Sequence, residues 1–219
     1  MTDYLNSASD TVSTLFGAIQ DCSNKEFEQD IEVQHLRHLE SYLLNTGDPT
    51  TWGKRNFEDW KKRNDGESPS IEDVRAVRDT LEELVDARRQ TIEIMCASIL
   101  MIAQNGVKLV LGAPSVWKRH EGVVLSSQNE CVLCAIWHGR NLAAHVEGLK
   151  KGTPSFRYFE DIKQRRGIDL KLRASHPCRY ILKNLLGWIE LHDLFPDDSE
   201  RQIYPSPYRL DMTRIGQLR

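Results

Sequence analysis

The sequence predicts an all-α protein, a helical bundle with one long spine helix and extra peripheral helices. No segment sustains the period-two alternation of a half-buried strand. The longest apolar stripe instead recurs every three to four residues, and turn-forming Gly, Pro and Asn fall between the stripes.

The elements follow in order. Residues 10–22 read as a first short helix, with Val12, Leu15, Phe16 and Ile19 on one face. Asn24 reads as the N-cap of a second helix through residue 45, carrying Phe27, Ile31, Leu36, Leu39 and Leu43, which Gly47-Asp48-Pro49 ends. Residues 46–69 form a polar connection with space for one helical turn. There Trp52, Phe57 and Trp60 alternate with basic residues, which suits either base stacking or aromatics tucked onto the bundle.

The spine helix is expected over residues 71–104. Val74, Val77, Leu81, Leu84, Ile92, Met95, Ile99 and Ile102 form its stripe, and Asn105-Gly106 its stop. A short helix from Ser115 follows, then a helix from residue 129 into residue 149, closed by Gly148, Gly152 and Pro154. Residues 155–166 and 176–195 read as two further helices. Residues 1–195 are thus taken as one domain and residues 196–219, with Pro205 and Pro207, as an irregular tail.

Composition narrows the class. The chain has 219 residues, 40% hydrophobic and 28% charged, as in soluble globular proteins. No secretory signal is read at the N-terminus, and the apolar run at residues 94–103 is far short of the ~20 residues of a membrane span. Five scattered cysteines, an odd number, favour reduced thiols and a cytoplasmic location. The Cys131-x-x-Cys134 pair lacks a second pair. Even with His138 one turn on it supplies three ligands where zinc wants four, so packed core cysteines are expected and no metal or cofactor. Residues 1–109 carry 12 basic and 20 acidic side chains, residues 110–219 carry 17 and 12. A polyanion such as RNA therefore suits the second half.

That basic half contains Arg140-Asn141-Leu142-Ala143-Ala144-His145, which holds the only Arg–His pair in the chain with four to six residues between. Arginine is a permanent cation whose planar donor fork fits a phosphate. Histidine exchanges its proton nearest to neutral pH. Asparagine can hold a phosphate oxygen or orient the histidine.

The stretch resembles the signature of the HEPN superfamily, small helical bundles with an Arg-x(4–6)-His motif. In that family Asn often follows the Arg, and a small residue such as Ala often precedes the His. The resemblance covers about ten residues closely. It implies a metal-independent endoribonuclease, with Arg140, Asn141 and His145 as its catalytic set and a role as a toxin or an effector of antiviral defence. It also implies a homodimer, in which two motifs meet in one cleft, and an antitoxin or other regulatory protein as a possible partner. Some members controlled by a nucleotidyltransferase antitoxin carry Tyr two residues after the His. Here that position is Glu147, so tyrosine modification is not implied.

On a regular helix Arg140 and His145 stand ~140° apart, whereas Asn141 and His145 share a face. Either Gly139 loosens the backbone so that Arg140 belongs to the start of the helix, or Arg140 reaches sideways to a phosphate shared with a second subunit. Lys163, Arg165, Arg166, Lys171 and Arg173, with Lys118 and Arg119, are the expected RNA-backbone contacts. His138 reads as a partly buried structural group, and Glu93 as an acid with no assigned neighbour. The alternative functions are a non-catalytic HEPN-like module that binds RNA, a nucleotide or a protein, and a structural protein using its spine helix as an interface.

Overall fold

Helical periodicity dominates the computed structural model, which describes residues 2–46, 54–63, 68, 70–111, 131–144, 150–167 and 177–187. The elements are α1 (Thr2–Thr46), α2 (Lys54–Arg63), α3 (Ile71–Leu111), α4 (Val132–Ala143), α5 (Pro154–Arg166), α6 (Pro177–Tyr180) and a π-helical turn, Ile181–Leu186, that continues α6. No strand occurs among the described residues. The expected short helix from Ser115, residues 188–195 and the tail lie outside them.

Several boundaries differ from those the sequence suggests. The first two helices are one 45-residue helix. Ser23 and Asn24 cost only a few tenths of a kcal/mol in a helix, and with no Gly or Pro nearby a cap-forming residue alone does not interrupt it. The spine helix passes through Asn105-Gly106 to Leu111, for 41 residues or about 60 Å. Gly106 and Val107 are buried there, and that packing outweighs the ~1 kcal/mol helix penalty of glycine. The polar connection contains α2, a ten-residue helix rather than a single turn.

The chain groups into two compact units, Asp21–Arg89, and Met1–Gln20 with Gln90–Arg219. In the unit Asp21–Arg89, α1 and α3 run antiparallel. Arg89 meets Glu26 at 3.0 Å and Asp30 at 2.6 Å, Arg37 meets Glu82 at 3.0 Å, and Arg75 and Arg78 both meet Glu40. The partners step backward along one helix as they step forward along the other. Under this ladder Leu36, Leu39, Leu43, Trp60 and Val74 form the core, flanked by Ile71 and Leu81. Leu36, Leu39 and Leu43 of the expected α1 stripe are buried, but Phe27 and Ile31 are exposed and Val33 is buried instead. On α3, Val77 and Leu84 are likewise exposed, and Val85 is buried in their place.

In the other unit α4 is central. Val132, Leu133, Cys134, Ala135, Ile136 and Gly139 are buried on it, as expected of a helix with apolar groups on most sides. Around it pack α5, α6 and the π turn. The best-buried side chains of this unit are Ile92, Ile99, Leu100, Leu133, Ile136, Ile162, Ile181 and Leu185. By length and composition a window of α3 is apolar enough to cross a membrane, and 44% of it is buried within the protein.

Gly139 has a packing role, not the loosening role the sequence allowed. It lies inside α4, and a Cβ built there would stand 3.2 Å from both Ile181 Cδ1 and Cγ2 and from Leu100 Cδ1. Gly139→Val is expected to destabilise the chain by about 1–3 kcal/mol, because overpacking a dense core forces neighbours off their rotamers. A urea-unfolding midpoint equal to that of the wild type would show that the close approach is unimportant.

Candidate functional site

The site is built from the end of α4 and the start of α5. Helix α4 begins at Cys131, whose Sγ accepts from Cys134 N–H at 3.3 Å. It ends at Ala143, and Ala144 N–H closes the last turn on Arg140 O at 3.1 Å. Arg140 therefore belongs to the last turn, where the helix dipole favours a cation, and not to a helix start. Helix α4 thus stops at Ala143, short of the end at residue 149 that the sequence suggests. His145 itself lies outside the described residues.

Helix α5 is started by local chemistry. Gly152 takes φ +85°, a left-handed turn conformation open to glycine at little cost. Thr153 is the N-cap, its Oγ1 accepting from Phe156 N–H at 3.3 Å while donating to Lys150 O at 2.9 Å. Pro154 occupies the first turn, where its missing N–H is not needed. Ser155 then points its hydroxyl at α4 from a position only 5% exposed.

There it joins two residues of α4. Ser155 Oγ is 2.9 Å from His138 Nδ1, and it accepts from Asn141 Nδ2 at 3.1 Å. His138 and Asn141 are three residues apart and so share a helix face. His138 also stacks on Tyr158 of α5, with ring centroids 4.5 Å apart and planes 25° apart. Asn141 Oδ1 in turn accepts from Arg140 Nη1 at 3.5 Å, a long bond. Arg140 is half-buried, and its Nε is buried without a hydrogen-bond partner. Among the described residues it pairs with no carboxylate, in contrast to Arg37, Arg75, Arg78 and Arg89.

The structure thus brings Arg140 and Asn141 together with His138 and Ser155. The sequence missed Ser155 altogether; the only signal was a helix-start pattern at Thr153-Pro154, which says nothing of α4. Of the expected RNA contacts, Lys163 is exposed on α5, and Arg165 is held by Asp161 at 2.7 Å, which offsets part of its charge. Arg166 lies in α5, while Lys118, Arg119, Lys171 and Arg173 lie outside the described residues. No described ion pair or hydrogen bond joins Lys163 or Arg165 to Arg140. Trp60, one of the possible stacking aromatics, is a core residue, and Trp52 lies outside the described residues.

Glu93 acquires a neighbour. Its carboxylate accepts from Cys178 N–H at 2.6 Å and from Arg179 N–H at 3.0 Å, which satisfies two free donors at the start of α6. The thiols nearby are suppressed. Burial first, and then the Glu93 charge, pushes Cys96 from 9.0 up to about 12, and the same causes push Cys178 further up. Both are expected to resist iodoacetamide at neutral pH, because the thiolate is the reacting form. Between the unfolded value of 9.0 and the folded one near 12, the folded state holds more protons. The contribution of Cys96 to stability is therefore complete below the unfolded value and declines as pH rises through that window. Urea midpoints that do not fall across it would contradict this.

Among the described residues no group of three or more His, Cys, Asp or Glu is arranged to hold a metal ion. A groove of about 230 Å³ in the unit Asp21–Arg89 is lined by Asp30, Arg37, Glu82, Asp86 and Arg89, whose charges already pair with one another. Comparison with protein-family models, with curated proteins and with solved structures finds no match for this chain.

Proposed function

We propose that the chain is a metal-independent endoribonuclease of the HEPN type, acting as a toxin or an effector of antiviral defence. One observation carries this reading. Arg140 is a half-buried cation whose buried Nε–H has no hydrogen-bond partner and which meets no carboxylate among the described residues, beside an amide that donates to Ser155. Leaving such a donor unmet costs about 1–3 kcal/mol, and a phosphate oxygen is the acceptor that a guanidinium fork fits best.

The reaction follows from RNA carrying its own nucleophile. His145 takes the proton of a 2′-OH as that oxygen attacks the adjacent phosphorus. Arg140 stabilises the charge that grows on the phosphoryl oxygens, and Asn141 holds Arg140 on one side. The P–O5′ bond breaks and the 5′ oxygen takes up a proton. The products are a 2′,3′-cyclic phosphate and a 5′-hydroxyl.

The test is cleavage of a single-stranded RNA by the full chain in EDTA, with end-group analysis of the products. Cutting in chelator with cyclic phosphate ends is expected. Cutting that stops in EDTA and returns with a divalent ion would overturn the mechanism. Binding of RNA without any cutting would favour the non-catalytic module.

A further inference from the structure

We infer that Ser155 is a positioning residue for Arg140, acting through the Asn141 amide; this rests on Arg140 being the phosphate-binding group proposed above. The hydrogen-bond inventory of the three side chains leads to it. Arginine offers only donors, so the amide edge facing Arg140 must be Oδ1. The Nδ2 edge is then turned to α5, where Ser155 Oγ accepts from it at 3.1 Å. A serine oxygen has one proton and two lone pairs, so Ser155 can serve Asn141 and His138 at once, whichever ring nitrogen of His138 carries its proton. Ser155 is only 5% exposed, so water is a poor substitute for its hydroxyl.

Without Ser155 the Nδ2 edge loses its acceptor, and the long 3.5 Å contact to Arg140 Nη1 is left to hold the amide by itself, so the amide plane is free to swing about that contact. With Ser155 the carbonyl edge stays on Arg140 Nη1, and this fixes the plane of the fork about its buried Nε. The donors not used by Asn141 are thereby aimed at a phosphodiester oxygen before the substrate arrives, which is the preorganisation that transition-state stabilisation requires. Ser155 itself touches no reacting atom in this scheme. It also links α4 to α5, so the alternative is a purely structural hydroxyl.

The experiment follows the Arg140 Nε–H resonance in the ¹⁵N-labelled full chain during titration with a 2′-O-methyl oligoribonucleotide. That probe has phosphodiesters but no attacking hydroxyl, so the readout does not depend on cleavage. The wild-type resonance is expected to shift on titration. Ser155→Ala should need about tenfold more oligonucleotide, equivalent to ~1.4 kcal/mol, and kcat/KM for RNA should fall at least as far. Ser155→Thr, which keeps the hydroxyl, should come within about twofold of wild type on both measures. A merely structural serine would not move the Arg140 titration in a variant that still melts cooperatively.

Ser155→Ala titrating like wild type, or Ser155→Thr no better than Ser155→Ala, would overturn the inference. A wild-type resonance indifferent to the oligonucleotide would overturn it too, since Arg140 then meets no phosphodiester. A wild-type chain that titrates but does not cut RNA would remove the ribonuclease reading and leave the positioning role standing. If Ser155→Ala does not fold, Ser155→Cys, of similar size and weaker hydrogen bonding, is read in the same way.

Discussion

Arg140→Ala is expected to lower RNA cleavage by about 10²–10³-fold, the usual effect of losing a donor aimed at a developing oxyanion. His145→Ala should lower it by about 10²–10⁴-fold, since it removes the base that accepts the 2′-OH proton. Arg140→Lys should recover little, because an ammonium has the charge without the fork. The stability of Arg140→Ala decides between a functional and a structural arginine. Its Nε makes no hydrogen bond and it pairs with no described carboxylate, so among the described residues the one side-chain hydrogen bond that truncation breaks is the 3.5 Å contact to Asn141. The melting temperature should therefore stay level or rise. A fall of many degrees, with cleavage per folded molecule unchanged, would make Arg140 a structural residue and sink the proposed site.

Trp60→Ala should behave in the opposite way. Trp60 is 8% exposed and packs with Leu36, Leu39, Leu43 and Val74. Removing so large a core side chain costs about 3–5 kcal/mol. That should appear as a large drop in the urea midpoint. RNA binding, measured where the variant is still folded, should be unaffected. A stacking tryptophan would give the reverse, a loss of roughly 1–3 kcal/mol in binding with little change in stability. Reduced RNA affinity at wild-type stability would overturn the core assignment.

The contrast between Trp60 and Arg140 shows what a sequence reading reaches. A tryptophan among lysines and arginines fits stacking and core equally well, because composition does not record which side of α2 meets another helix. Arg140 and Asn141 were legible because their chemistry is local: a fork of donors and an amide are adjacent in the chain. Ser155 was not, because it meets Asn141 only through the packing of α5 on α4. Gly139 was visible as a glycine beside the motif. Its reason, the approach of Ile181 and Leu100, involves residues some forty positions away on either side.

The sequence by itself determined that the chain is helical and where much of its core lies. Helix formation follows a 3.6-residue period, and Leu36, Leu39, Val74, Ile92 and Ile99 are buried where that period puts them. It also determined the chemistry available at residues 140–145. The tertiary structure decided the helix ends, since burial of Gly106 and Val107 outweighs a local stop signal. It decided which apolar residues stay exposed, as Phe27 and Val77 do, because a helix turns only one face to its neighbour. And it decided that Arg140, whose buried Nε has no partner, meets no carboxylate among the described residues, while Arg37, Arg75, Arg78 and Arg89 do. The cross-helix pairs of those arginines, with Glu26, Asp30, Glu40 and Glu82, depend on which helices lie side by side, and packing across the chain decides that.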